Sequence, residues 1–237
     1  MPQRDEPLPL LAHLAELRRR IILSVCAIGI AGILVYPYTD LVIRSLAKPV
    51  GKLYFIGPVE AFWTKLKLAF FLGLFISLPF VLFQIWGFIQ RGLLPKERRT
   101  VLGLTVISYL LFMVGAAFCY FLILPIGVRF LLAYGSEVLV PMITISRYLA
   151  FVSALVFAFG SIFQLPLIVG FLSYTGIIKA EDLRKHWRLA VVGIFIIAGA
   201  LTPGPDVFSQ LLMAGPLLVL YFFSIWLARF LERRQKQ

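Results

Sequence analysis

The stretch RRRIILSVCAIGIAGILVYPY, residues 18–38, decides the fold. Three arginines end abruptly, and nothing charged follows until Asp40. A helix needs about 20 apolar residues to cross a hydrocarbon core of about 30 Å, and residues 21–38 fall within the workable range. The arginines mark where such a helix would leave the lipid and meet headgroups and water. No small-residue cleavage pattern follows, and more apolar runs do, so this segment is expected to be a retained first span.

Further runs at 66–89, 101–124, 148–172, 189–201 and 207–228 repeat the pattern, which predicts an all-α polytopic membrane protein with six transmembrane helices. The composition agrees: 61% of residues are hydrophobic and 14% charged, against about 25% charged in soluble domains, and the mean hydropathy is +0.95. Little chain is left for an independent soluble domain, so residues 1–237 read as one membrane domain with a charged tail at 229–237, whose last stretch RRQKQ, 233–237, should fray. Pro79 and Pro166 fall inside the second and fourth runs and predict proline-bent helices there. The fifth run, LAVVGIFIIAGAL, covers only about 20 Å as a helix and would need a locally thinned bilayer. The turn TPGP at 202–205 would join it tightly to the sixth.

Six spans put both termini on one side. Sixteen of the 23 basic residues flank the runs on that side, which the positive-inside rule makes cytoplasmic: N-in and C-in. The net charge of +12 is thereby explained by topology and lipid headgroups, not by nucleic acid. Two outer segments, DLVIRSLA at 40–47 and GVRFLLAYG at 127–135, read as short interfacial helices.

The residues that could carry chemistry are few. His13 and His186 lie in cytoplasmic segments far apart in sequence, and Cys26 and Cys119 sit inside apolar runs as buried thiols, so no metal or cofactor is expected. No phosphate-binding G-x-x-x-x-G-K-[ST] loop occurs. No acid or base lies deep in a run; Gln164 is the most polar side chain at depth. An intramembrane enzyme therefore lacks a base, and the alternative of a small-solute secondary transporter lacks the midplane charges such a site requires. What stands out is Glu16 in HLAELRRR and Glu97 in LLPKERR, two acids in basic surroundings at the start of spans one and three. Each could be an ordinary salt-bridge partner; Glu16 has Arg19 and Arg20 one turn ahead. Together they could receive two guanidinium groups, since arginine donates paired bonds to a carboxylate where lysine offers a point charge.

HLAELRRR, the F-x-x-x-L-K-L-A of AFWTKLKLAFFLG, LPFVLFQIWGFI, LLPKERR and LTPGPDVFSQLLMAGPLLVLY, in that order, resemble the TatC family, the polytopic core of the twin-arginine protein translocase. The resemblance implies a receptor for the paired-arginine signal peptides of folded precursors. It also implies TatA- and TatB-type single-span partners, self-association within the complex, and export driven by the proton-motive force without covalent catalysis. By position, Glu16 and Glu97 match the acids that bind the signal-peptide arginines, with Leu17, Arg18 and Arg98 in the adjacent pattern. Pro49, Tyr120, Gln164, Asp206 and Gln210 match positions sensitive for partner contact or translocation. The family usually has a glutamate where this chain has Gln164, and many members have one where Phe222 stands. Gln164 can hydrogen-bond but cannot ionise. A partner contact through it should be unchanged by pH across the neutral range, checked by co-purification at several pH values; a Gln164-dependent step that titrates would oppose this.

Overall fold

The computed structural model describes residues 10–89, 101–133, 135, 141–201 and 207–235. These residues are helical almost throughout, with no strand longer than an isolated bridge. Helix α1 (Leu10–Val35) starts well before residue 21, so HLAELRRR forms its polar opening turns and not a flanking coil. It ends where Pro37, which has no N–H, tightens Tyr36–Tyr38 into a 3-10 turn. The buried Thr39 hydroxyl donates to the Tyr36 carbonyl at 2.8 Å and opens α2 (Thr39–Ala47), the short helix expected at 40–47.

Helix α3 (Pro58–Ile89) begins near 58, not 66, because proline suits the first helical position and Glu60 supplies an acid to the first turn. The Glu60 carboxylate also accepts the Ile56 N–H at 2.8 Å. Pro79 lies inside this helix, which runs on past it to Ile89 without a break. Helix α4 (Val101–Phe118) continues through a π-helical turn, Cys119–Ile123, into α5 (Leu124–Leu132). Pro125 explains the widened turn, since it cannot donate back along the helix. The segment expected as a separate interfacial helix at 127–135 is thus mostly the end of this continuous rod.

The fourth apolar run is interrupted as well as proline-bearing: α6 (Ile145–Ile162) and α7 (Leu165–Tyr174) are separated by a turn at Phe163 and Gln164. Pro166 falls in the first turn of α7, where its missing N–H costs nothing. After the short α8 (Ala180–Lys185), α9 (Trp187–Leu201) has 15 residues, about 22 Å. Helix α10 (Val207–Gln235) carries on through Arg229 and Arg233, so the tail described up to residue 235 is helical and not frayed. The TPGP turn lies outside the described residues.

Among the described residues, five stretches are long and apolar enough to cross a bilayer: His13–Ala47, Pro58–Ile89, Leu102–Leu132, Ile145–Tyr174 and Gln210–Arg233. The stretch Trp187–Ala200 is apolar but shorter. Large side chains such as Ile33, Leu34, Phe121 and Val219 are mostly exposed, as lipid-facing residues are when hydrocarbon is the solvent. Cys119 is buried as expected, but Cys26 is exposed on α1 and belongs to the same outward-facing surface.

The chain's contacts divide it into two compact units, one of residues up to Ile43 with Lys65–Tyr109, the other of Arg44–Thr64 with Leu110 onward. In the first, α1 and α3 approach through glycine. A Cβ on Gly73 would lie 2.5 Å from the Gly32 nitrogen and 2.6 Å from the Ile28 carbonyl oxygen. Such backbone approach between helices is how apolar spans associate when lipid offers no hydrophobic drive. Trp86 donates its indole N–H to the buried Ser108 hydroxyl at 2.8 Å, tying α3 to α4. In the second unit, Gly115 meets the Phe159 carbonyl and the Phe163 ring, and Gly160 meets the Phe112 ring. Gly170 of α7 faces Leu227 and Leu231 of α10. The loop ahead of α3 pairs with the start of α6: the Tyr54 N–H donates to the Ile143 carbonyl at 3.0 Å, and the Ile145 N–H to the Tyr54 carbonyl at 2.8 Å.

Candidate functional site

The opening turns of α1 lie against the last turns of α3. Glu16 Oε1 accepts from Arg20 Nε at 2.7 Å, an i,i+4 pair in which the glutamate side chain is only 9% exposed. Arg20 reaches further: its Nη1 donates to the Gln84 carbonyl at 2.9 Å and to the Gln84 side-chain oxygen at 3.1 Å. A cation near a helix C-terminus is favoured by the helix dipole. Gly87 makes room for it, since a Cβ there would fall 2.5 Å from Arg20 Nη1. The His13 ring stacks on Phe88 with centroids 4.4 Å apart. The result is a carboxylate held in fixed orientation at the head of α1, clamped by an arginine that is itself seated on α3.

Among the other residues singled out from sequence, Leu17 is half-buried and Arg18 exposed on α1. Glu97, Arg98 and Asp206 lie outside the described residues. Pro49 is half-buried in the turn after α2, closed by N–H bonds from Val50 and Gly51 to the Ala47 carbonyl at 3.0 and 2.8 Å. Gly51 adopts φ +85°, a conformation that a side chain would strain. Close by in sequence, Ser45 shares a hydroxyl hydrogen bond with Tyr120 at 2.9 Å, and Tyr148 donates to the Leu46 carbonyl at 2.9 Å. Tyr120 sits on the π turn that precedes Pro125.

Gln164 stands where the helical hydrogen bonding changes register. Its N–H bonds the Ser161 carbonyl at 3.0 Å, and its own carbonyl accepts the Ile168 N–H at 2.9 Å. Gln210 donates its side-chain amide to the Phe195 carbonyl at 2.9 Å, which joins α10 to α9. Two features were not read from sequence. One is the seat of Arg20 on Gln84 and Gly87. The other is Glu232, whose Oε1 accepts the Ala180 N–H at 2.6 Å and the Ser173 hydroxyl at 3.1 Å, and so fixes α8 to α10. Tyr221 reinforces it by donating to the Leu183 carbonyl at 2.8 Å. Glu232 has the same signature as Glu16, a single acid among arginines, and could have been found by the same reasoning.

Comparison with known proteins bears on this geometry. The sequence profile of the TatC family, described as Sec-independent protein translocase protein, matches residues 12–216. A TatC protein of Carboxydothermus hydrogenoformans is 44% identical over 98% of this chain and 97% of its own length. One from Aquifex aeolicus is 36% identical over 97% and 98%. A crystal structure described as the twin arginine translocase receptor TatC superposes with a TM-score of 0.82 at 35% identity, covering 92% of this chain and 99% of that one. Family profile, full-length relatives and shared fold agree, and this chain belongs to the TatC family.

Proposed function

We propose that this protein is the signal-peptide receptor and core of a twin-arginine translocase. In this reading it binds the paired arginines of precursor signal peptides at the cytoplasmic face and nucleates the export complex with single-span partners of the TatA and TatB type. The supporting observation is the Glu16 carboxylate, nearly buried and oriented by an arginine whose other bonds go to α3. Arg20 keeps the Gln84 acceptors when an incoming guanidinium takes a share of Glu16, so ligand entry does not strand a buried charge. The resident arginine also sets a threshold. A lysine offers a single point charge and competes poorly for this carboxylate, whereas a forked guanidinium can take two lone pairs. Glu97 receives the second arginine.

The orientation belongs to the same reading: both termini cytoplasmic, and α9 as a sixth, short span beside a thinned bilayer. The test is binding of a labelled paired-arginine signal peptide to the purified protein, against a Lys-Lys peptide and the Glu16→Gln and Glu97→Gln variants in a double-mutant cycle. Coupling of each glutamate to the arginines by more than about 1 kcal/mol is expected for close charge pairs. Equal binding in every combination would leave Glu16 as a structural partner of Arg20 and nothing more.

A further inference from the structure

At the arginine-rich end of the second unit, α8 and α10 enclose an open hollow of about 640 Å³, lined by Arg184, Lys185, Arg229 and Arg233 with the acids Glu181 and Glu232. Glu232 is already engaged by the Ala180 N–H and the Ser173 hydroxyl, and four cations face two carboxylates. Among the described residues, neither Arg184 nor Arg229 forms an ion pair. A second hollow, about 430 Å³, shares Arg184 and Arg229 with the first and is otherwise lined by Trp187, Phe222, Ile225 and Trp226.

The two hollows form one graded surface. Phe222, Trp226 and Arg229 are spaced i, i+4, i+7, so an apolar stripe about 10 Å long on one face of α10 ends in a guanidinium. Trp187, Phe222 and Trp226 are each 43% exposed or more. The depth matches a bilayer surface on two helices independently: the apolar run of α10 stops at Arg229, and that of α9 starts after Arg188. Tryptophan at that level, with arginine just outside it, is the arrangement of a membrane interface.

We propose that this surface is a binding site for a phospholipid of net negative headgroup from the arginine-side leaflet. Arg184 and Arg229 hold the phosphate, and an acyl chain lies along Phe222, Ile225 and Trp226. A zwitterionic lipid would bring its own cation against the surplus of basic groups. Basic hollows between spans at the cytoplasmic side recognise anionic headgroups in this way. The proposal goes beyond the receptor reading and uses none of its residues; it stands or falls on Arg184 and Arg229, not on Glu16.

The test uses the full chain in nanodiscs, with tryptophan quenching by brominated phosphatidylglycerol against brominated phosphatidylcholine. In a background with Trp63 and Trp86 replaced by Phe, phosphatidylglycerol should quench at a lower mole fraction than phosphatidylcholine. Arg184→Gln and Arg229→Gln should each reduce that preference roughly fivefold, the factor expected per basic group at an anionic surface. Excess inorganic phosphate at matched ionic strength should not relieve the quenching. Equal quenching by the two lipids overturns the proposal, as does relief by phosphate, which would indicate a soluble anion. The comparison of lipids in the unsubstituted arginine background decides the matter even where an arginine variant fails to fold.

Discussion

Gly73→Ala is expected to lower the melting temperature in detergent by roughly 2–12 °C, the range that corresponds to an overpacking cost of about 1–3 kcal/mol. The added methyl would stand 2.5 Å from the Gly32 nitrogen and 2.6 Å from the Ile28 carbonyl oxygen. Both are backbone atoms of α1, so no rotamer change relieves the contact. The helices must move apart by about 1 Å to reach ordinary van der Waals separation. Separation would also disturb the far end of the same pair of helices, where Arg20 bonds Gln84. Gly103→Ala is the control. A Cβ there meets nothing within 4 Å, and alanine is the better helix former. Melting of both variants followed by size-exclusion chromatography after heating separates the outcomes. Equal melting temperatures would show that the α1–α3 contact is loose enough to take a methyl group.

The second large effect is local. Glu232→Ala removes the acceptor for the Ala180 N–H and the Ser173 hydroxyl. Ala180 is 1% exposed and Ser173 2% while the carboxylate covers them; the carboxylate also lines the open hollow beside α8, so water replaces it only in part. An unsatisfied buried group costs about 1–3 kcal/mol, and two are created here. The opening of α8 from α10 should therefore be easier by about 2 kcal/mol. When opening is fast relative to cleavage, proteolysis follows the open population, so trypsin should cut after Arg184 or Lys185 roughly thirtyfold faster. Glu232→Gln keeps a carbonyl acceptor and should fall in between. Wild-type cutting rates in Glu232→Ala would mean that Val169, Ala180, Ala228 and Leu183, which pack together there, hold α8 without the carboxylate.

Much of the architecture was legible because lipid simplifies the code. A buried backbone must satisfy its own hydrogen bonds, so an apolar run of sufficient length can only be a helix. Residues 18–38 could be read on that ground alone. Helix ends were harder. Polar turns such as those of HLAELRRR carry no hydropathy signal, although Leu, Ala, Glu and Arg are good helix formers and Glu16 pairs with Arg20 one turn on. Pro125 and Pro166 were legible as proline, but one gives a π turn and the other a break between α6 and α7, since what surrounds each proline decides how the freed carbonyls are met.

At the site, residue type and spacing fix which groups are available: Glu16 as an acid amid arginines, Gln164 as a polar residue at depth, and Glu232 as a second acid amid arginines. Their partners follow from how the helices pack. Glu16 pairs with Arg20 as local spacing allows, but the strength of that clamp depends on Gln84 and Gly87, 64 and more residues away. The physical reason is that charge and hydrophobicity are properties of single residues and their spacing, whereas a hydrogen-bonded seat needs atoms from separate helices within about 3 Å. Helix packing through glycines such as Gly32 and Gly73 is what brings them there.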